Sequence, residues 1–214
     1  LPALAQSPLP ASAYLVDNIR FLDWDKKKAS PGAMDNLAGI AQTLAAAKYL
    51  KENPDKMPDY ARIIIAGFGS EEAGLRGSRA FVKVHQNDLF QGYVWSINID
   101  GVSDEDYFQL LTGELMLSVN YKDFIVNMVK SAFDEVGVKY QAFKLDVGAS
   151  DACTFHRMGI NTITLAAQNP APANNYHTFH DTLDRIQPGA TKKMFQVLLK
   201  RSEERRVGKE CRSR

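Results

Sequence analysis

Five side chains in this 214-residue sequence have the chemistry of a hard-cation site. They are Asp35 in GAMDN, Glu71 and Glu72 in GSEEAG, Asp100 in NIDG and His177 in YHTFHDT. Carboxylate oxygens and a neutral imidazole are the donors that divalent ions such as zinc accept. Metal-assisted hydrolysis needs such donors together with one spare carboxylate to carry a proton. Here each acid stands beside a glycine or at the end of an apolar run. Each also has an ordinary reading when taken alone. Asp35, just before Asn-Leu, could cap a helix. Paired loop acids such as Glu71 and Glu72 are usually solvated, an acid at a strand end such as Asp100 says less still, and a single loop histidine is commonly a satisfied surface residue. The five carry weight only as an ordered set. Of the remaining histidines, His156 and His180 read as structural, and His85 in FVKVHQND reads as solvent-facing.

The elements that would position these groups follow from periodicity. RIIIAGFG (62–69) is a β-branched run closed by glycines, so it reads as a buried parallel strand that delivers Glu71 and Glu72 from its carboxyl end. SINID (96–100) repeats the pattern and ends on Asp100, and NTITLAAQ (161–168) is a third such run, followed by the His177 loop. In open α/β sheets, sites collect at the carboxyl ends of strands. Leu37, Ile40, Leu44, Ala47 and Leu50 fall near helical spacing and predict a helix over 36–53. Further helices are expected over 75–86, 121–136, 151–158 and 187–200, with strands over 13–23, 92–100, 107–111 and 138–145. Such alternation predicts an α/β fold of three layers, a mostly parallel mixed sheet with helices on both faces.

Bulk properties narrow the choice. The chain is 45% hydrophobic and 24% charged, enough for one sizeable domain. It contains no run of 18 apolar residues, so no membrane span is expected. Its two cysteines, Cys153 and Cys211, do not make a disulfide framework. Residues 1–20 start with a proline- and alanine-rich stretch that lacks a period. The last stretch, RSEERRVGKECRSR (201–214), matches residue for residue the translation of a common sequencing-library adapter. Without it, 20 Lys and Arg face 22 Asp and Glu. The basic tail is therefore not a nucleic-acid arm, and no nucleic-acid partner is expected.

Taken in order, GAMDN, GSEEAGLRGS, NIDG, GASD and YHTFHDT resemble the co-catalytic zinc aminopeptidase family. That family includes bacterial leucyl-type aminopeptidases and the related glutamate carboxypeptidases and glutaminyl cyclases. The likeness covers about residues 22–200 and implies a zinc-exopeptidase-like catalytic domain over 21–200, with further strands upstream that this chain lacks. It implies two zinc ions, a peptide substrate and a secreted or cell-envelope setting. Asp35 would bridge the ions, Glu72 and His177 would complete one, and Asp100 would bind the other. Glu71 would be the general base, Asp151 in GASD would line the pocket and orient substrate, and Asp181 would support the site from behind.

The sequence departs from this pattern at one place. The family carries His-x-Asp about a dozen residues before the bridging acid, and here that string is Phe21, Leu22, Asp23. Asp23 fits the acid that orients the histidine, whereas Phe21 cannot bind a metal. The change is either genuine, giving a one-metal or weakened enzyme, or a reading error upstream of Leu22. Histidine and phenylalanine codons differ at two bases, so a frame error is the simpler kind of mistake, and it also accounts for the formless start. A mononuclear acyltransferase of the glutaminyl cyclase kind and a catalytically impaired binding domain are the alternatives to an aminopeptidase. With Phe21 in place, the chain should bind one zinc well and a second poorly. Restoring Phe21→His should move zinc content from about one ion towards two, read by elemental analysis, and raise hydrolysis of an amino-acid anilide with it.

Overall fold

The structure is a computed structural model that describes residues 30–57, 62–89, 93–169 and 175–203. Its sheet grows from the most apolar runs. β1 (Trp95–Val102) and β5 (Asn161–Ala167) pair in parallel, with Ile97 opposite Ile163 and Ile99 opposite Leu165. β2 (Phe108–Glu114) pairs antiparallel with β5 and parallel with β4 (Gln141–Leu145), and β3 (Val119–Asn120) closes antiparallel on the last two residues of β2. The two parallel ladders are the longer ones, so the mixed sheet is mostly parallel, as the alternation of elements predicts. β5 is buried at every residue after Asn161. A strand covered on both faces tends to read as a continuous apolar run, and NTITLAA departs from one at the threonines Thr162 and Thr164, which are buried with the rest.

Among the described residues, five α-helices cover this sheet: α1 (Ala38–Glu52), α2 (Arg76–Leu89), α3 (Asp123–Val136), α4 (Ala152–Arg157) and α5 (Pro188–Glu203). α1 and α3 each pack on α5, while α2 packs on α4. The larger core joins Phe108 and Leu110 of β2 and Leu165 of β5 to Phe133 of α3 and Met194 of α5. A smaller one joins Val82 and Leu89 of α2 to Phe155 and Ile160. α3 ends where the sequence predicts, at Gly137, whose φ of 74° lets its N–H return to the carbonyls of Phe133 and Asp134.

Two expectations change. Residues 62–68 form no ladder among the described residues, and Ile63, Ile64 and Ile65 are 37–48% exposed rather than buried. β-branched residues favour extended backbone, but a strand also needs a neighbour to bond with, and propensity does not supply one. α1 is helical where expected, yet it buries Ala38, Gln42, Ala46 and Leu50 and turns Leu37, Ile40 and Leu44 outward. The helix approaches β1 and α5 through its short side chains. The strand expected over 13–23, and Phe21 with it, lie outside the described residues. So does most of 201–214, although α5 continues three residues beyond the expected limit.

Glycine packing holds the Glu71–Glu72 loop. Gly77, in the first turn of α2, lies directly on Gly69, so a β-carbon there would fall 2.9 Å from the Gly69 nitrogen and closer still to its carbonyl oxygen. At Gly67 the same atom would meet open space. Gly77→Ala should therefore cost about 1–3 kcal/mol, as overpacking does, while Gly67→Ala should be neutral or stabilising by up to about 1 kcal/mol. Thermal or urea midpoints of the two variants check the contrast.

Candidate metal centre

Asp35 sits in the tight turn Ala33–Leu37, which is entered through Gly32 at φ 66° and leads into α1. The start of α1 has no side-chain cap. The capping reading of Asp35 therefore fails, and its carboxylate turns to His177 instead. The turn is clamped from two sides. Asp181, 1% exposed, accepts from the backbone N–H groups of Met34 (2.6 Å) and Asp35 (3.1 Å). Asn36 donates to the Ile99 carbonyl (2.7 Å) and accepts from the Gly101 N–H (3.4 Å), so it grips the backbone on both sides of Asp100. The peptide between Asp35 and Asn36 is cis.

Asp100 leaves β1 at an irregularity. The pairing with β5 shifts between Ile99 and Val102, and Gly101 takes a φ of 78°. Bulges of this kind re-aim a side chain at the end of a ladder. Glu71 and Glu72 lie in a loop bracketed by Ser70 and Leu75, both at φ 58°. The Glu71 carbonyl accepts from the N–H groups of Gly74 (2.9 Å) and Leu75 (2.7 Å), and Leu75 is buried. His177 is also left-handed, at φ 57°. That costs a non-glycine residue on the order of 1–2 kcal/mol. Its ring stacks on Tyr176 with centroids 3.7 Å apart.

These backbones bring three of the predicted ligands together. Nε2 of His177 lies 3.0 Å from Oδ2 of Asp35 and in direct contact with Oε1 of Glu72. One donor atom from each of the three falls within 4.8 Å of the others, all partly buried. Two carboxylates and an imidazole aimed at one point fit a zinc-like ion, which binds such atoms at about 2.0–2.2 Å. Glu71, Asp100 and Asp151 stand within electrostatic reach. Burial, and then the charges of Asp100, Glu72, Asp151 and Asp35, push the Glu71 carboxyl up to about 9. Burial and the charge of Asp35 hold Asp100 well above the usual carboxylate range. Burial alone would lower His177, but its hydrogen bonds to Asp35 and Glu72 carry it up to about 9. The metal-free cluster thus retains protons, and a dication would take their place.

Of the other predicted residues, Asp151 is 8% exposed at the start of α4 and acts on Glu71 through its charge. Asp181 supports the centre through the Met34 and Asp35 backbone. Asp23 lies outside the described residues. Three histidines stand apart from the cluster. His156 has its ring 5.9 Å from Tyr121, and His180 leans on Phe179. His85 is half-buried against Phe81 rather than fully solvated, because the aromatic edge shields it. Sequence reasoning missed Asn36 and Tyr176. Their signals are only their places, immediately after Asp35 and before His177. Beside the cluster opens a cavity of about 340 Å³, bounded by Met34 and Tyr176 and otherwise polar, with Ser103, Asp104, Gln168 and Arg185 in its wall.

Known proteins share this fold. Residues 23–201 match the profile of peptidase family M28. Among solved structures, a zinc aminopeptidase from Bacillus subtilis superposes with a TM-score of 0.66 at 24% identity, over 80% of this chain and 42% of its own. An aminopeptidase from Aneurinibacillus sp. strain AM-1 gives 0.65 at 22% identity, over 80% and 39%. A leucine aminopeptidase precursor from Bacteroides thetaiotaomicron gives 0.63 at 21% identity, over 87% and 67%. The chain thus spans about two-fifths of the first two relatives. Among curated protein sequences none matches.

The retained protons set a pH dependence. Glu71 and His177 both have folded values near 9, above their ordinary 4.5 and 6.5. Raised groups stabilise the fold fully below the ordinary value and lose that contribution as pH climbs through the folded one. The chelator-treated protein should therefore lose stability from about pH 4.5, where Glu71 begins to contribute, and more steeply from about 6.5, where His177 joins it, up to about 9. Zinc should flatten the slope by replacing the protons. Thermal midpoints across that range, with chelator and with zinc, test both parts.

Proposed function

From the premise that this chain belongs to peptidase family M28, we propose that it is a zinc-dependent aminopeptidase, removing N-terminal residues from peptides. The observation that carries this reading is the convergence of Asp35, Glu72 and His177 with Glu71 directly beside them. Asp35, Glu72 and His177 would hold one ion, and Asp100 would hold a second with Asp35. When bound, zinc supplies a Lewis acid that polarises the scissile carbonyl and makes water a stronger nucleophile. Glu71 takes the proton of the attacking water and returns it to the leaving amine. Asp181 and Asn36 keep Asp35 and Asp100 in register without touching substrate. Asp151 offers a negative charge for the free amino terminus.

A mononuclear acyltransferase of the glutaminyl cyclase kind is favoured by one observation, that the compact group contains only Asp35, Glu72 and His177. Zinc stoichiometry and activity on an amino-acid anilide against an N-terminal glutaminyl peptide separate the two. Within the peptidase reading, Glu71→Gln should leave zinc content unchanged and lower kcat by about 100- to 10,000-fold, the contribution of a general base. Glu72→Gln should instead release zinc. Equal metal loss in both variants, by elemental analysis, would mean that the two roles are exchanged.

A further inference from the structure

Glu114 closes β2 and is fully buried. Burying a carboxylate is costly unless donors surround it, and four residues do. Oε2 accepts from the backbone N–H of Ser150 (2.7 Å) and the thiol of Cys153 (2.8 Å). Oε1 accepts from the Tyr121 hydroxyl, at very short range, and from the hydroxyls of Ser150 (2.7 Å) and Thr164 (3.3 Å). Burial first, and then Glu114 itself, push the Cys153 thiol up to about 12 and the Tyr121 phenol higher still, so both remain donors. An apolar residue would fill this place at less cost. Stability alone therefore does not explain a carboxylate here.

What Glu114 holds does explain it. Two of its bonds go to Ser150, one to the backbone and one to the side chain, and Ser150 is the residue before Asp151. Asp151 is the acid at the start of α4 whose charge acts on both Glu71 and Asp100, and the charge of Glu114 also acts on Asp100, more weakly than that of Asp151. Thr164 ties the same oxygen to β5, and Asn98 of β1 reaches Thr164 at 3.5 Å. We propose that Glu114 is a positioning residue of the reaction: by pinning Ser150 at two points, it sets where the Asp151 carboxylate stands against Glu71 and Asp100. This rests on the peptidase reading, and it adds to that reading a residue that acts on the site through Ser150.

The test is a double-mutant cycle in the full chain with Glu114→Gln and Asp151→Asn. It is read in kcat, KM and the zinc affinity of the metal-free protein against a competing chelator. Glutamine keeps the shape of Glu114 but places an NH2 group where an oxygen accepted. Glu114→Gln should lower kcat/KM by at least about 10-fold, as loss of an orienting partner does. It should divide that loss between kcat and KM as Asp151→Asn does, and shift zinc affinity in the same direction. Most of the Glu114→Gln loss should disappear in the Asp151→Asn background, because the two act in series through Ser150 and only the weaker direct charge of Glu114 on Asp100 remains. Should Glu114→Gln not fold, Ser150→Ala carries the test. It removes one hydroxyl and should cost about fivefold, the weight of one hydrogen bond, and this loss should vanish in the Asp151→Asn background. Multiplicative losses in either cycle, or a Glu114→Gln protein with the parent's kcat, KM and zinc affinity, would overturn the proposal. A parent chain that neither binds zinc nor hydrolyses peptides would overturn the peptidase reading, and this proposal with it.

Discussion

Repulsion among carboxylates is the constraint to which the rest of this structure answers. Asp35, Glu71, Glu72, Asp100 and Asp151 each contribute negative charge to one small region, and each raises the proton affinity of its neighbours. No such cluster gathers by itself. It stays together because the backbones that carry it are fixed by other interactions, and because the assembled charge attracts a cation. A single imidazole, shared between Asp35 and Glu72, is the only basic side chain in contact with the cluster among the described residues.

The fixing is done with polar side chains and unusual backbone rather than with apolar packing. Asp181 holds the Asp35 turn, Asn36 ties that turn to the strand end at Asp100, and Gly77 seats α2 against the loop of Glu71 and Glu72. Left-handed residues bracket that loop, and another carries His177. Strain of this kind persists only where the surroundings over-determine it. The buried ladders of β1 and β5 and the packing of α3 on α5 provide those surroundings at a distance from the charge. The division resembles that of other α/β sheets: strands supply rigidity and their carboxyl ends supply chemistry.

Much of this was legible in the sequence. Periodicity located α2, α3 and α5 and gave β5 without error, since long amphipathic runs, and a β-branched run that finds a neighbour to pair with, follow local preference. The ordered acids and His177 were legible because glycines and strand ends mark where a backbone can present them. Three things were not, the first being that the β-branched run at 62–69, read as a buried strand, has no neighbour to pair with among the described residues. Helix spacing identified an apolar stripe on α1 but not which stripe would be buried, because that depends on how close β1 and α5 approach. Nor did the sequence reveal Asn36, Tyr176 or the partners of Glu114. A hydrogen bond between residues 36 positions apart, such as that from Ser150 to Glu114, leaves no periodic trace.

The extended run Ile63–Ile64–Ile65 bears on how this protein behaves in bulk. Three exposed isoleucines on backbone that pairs with no strand among the described residues form a template for another copy of the same run. Such segments drive sheet-to-sheet association when they are β-branched, uncharged and free of proline. Here Arg62 on one side and Gly67 with Gly69 on the other act as gatekeepers, one by charge and the others by poor strand propensity. The tendency of the chain to self-associate thus turns on six residues, Arg62, Ile63, Ile64, Ile65, Gly67 and Gly69, none of them in the candidate metal centre.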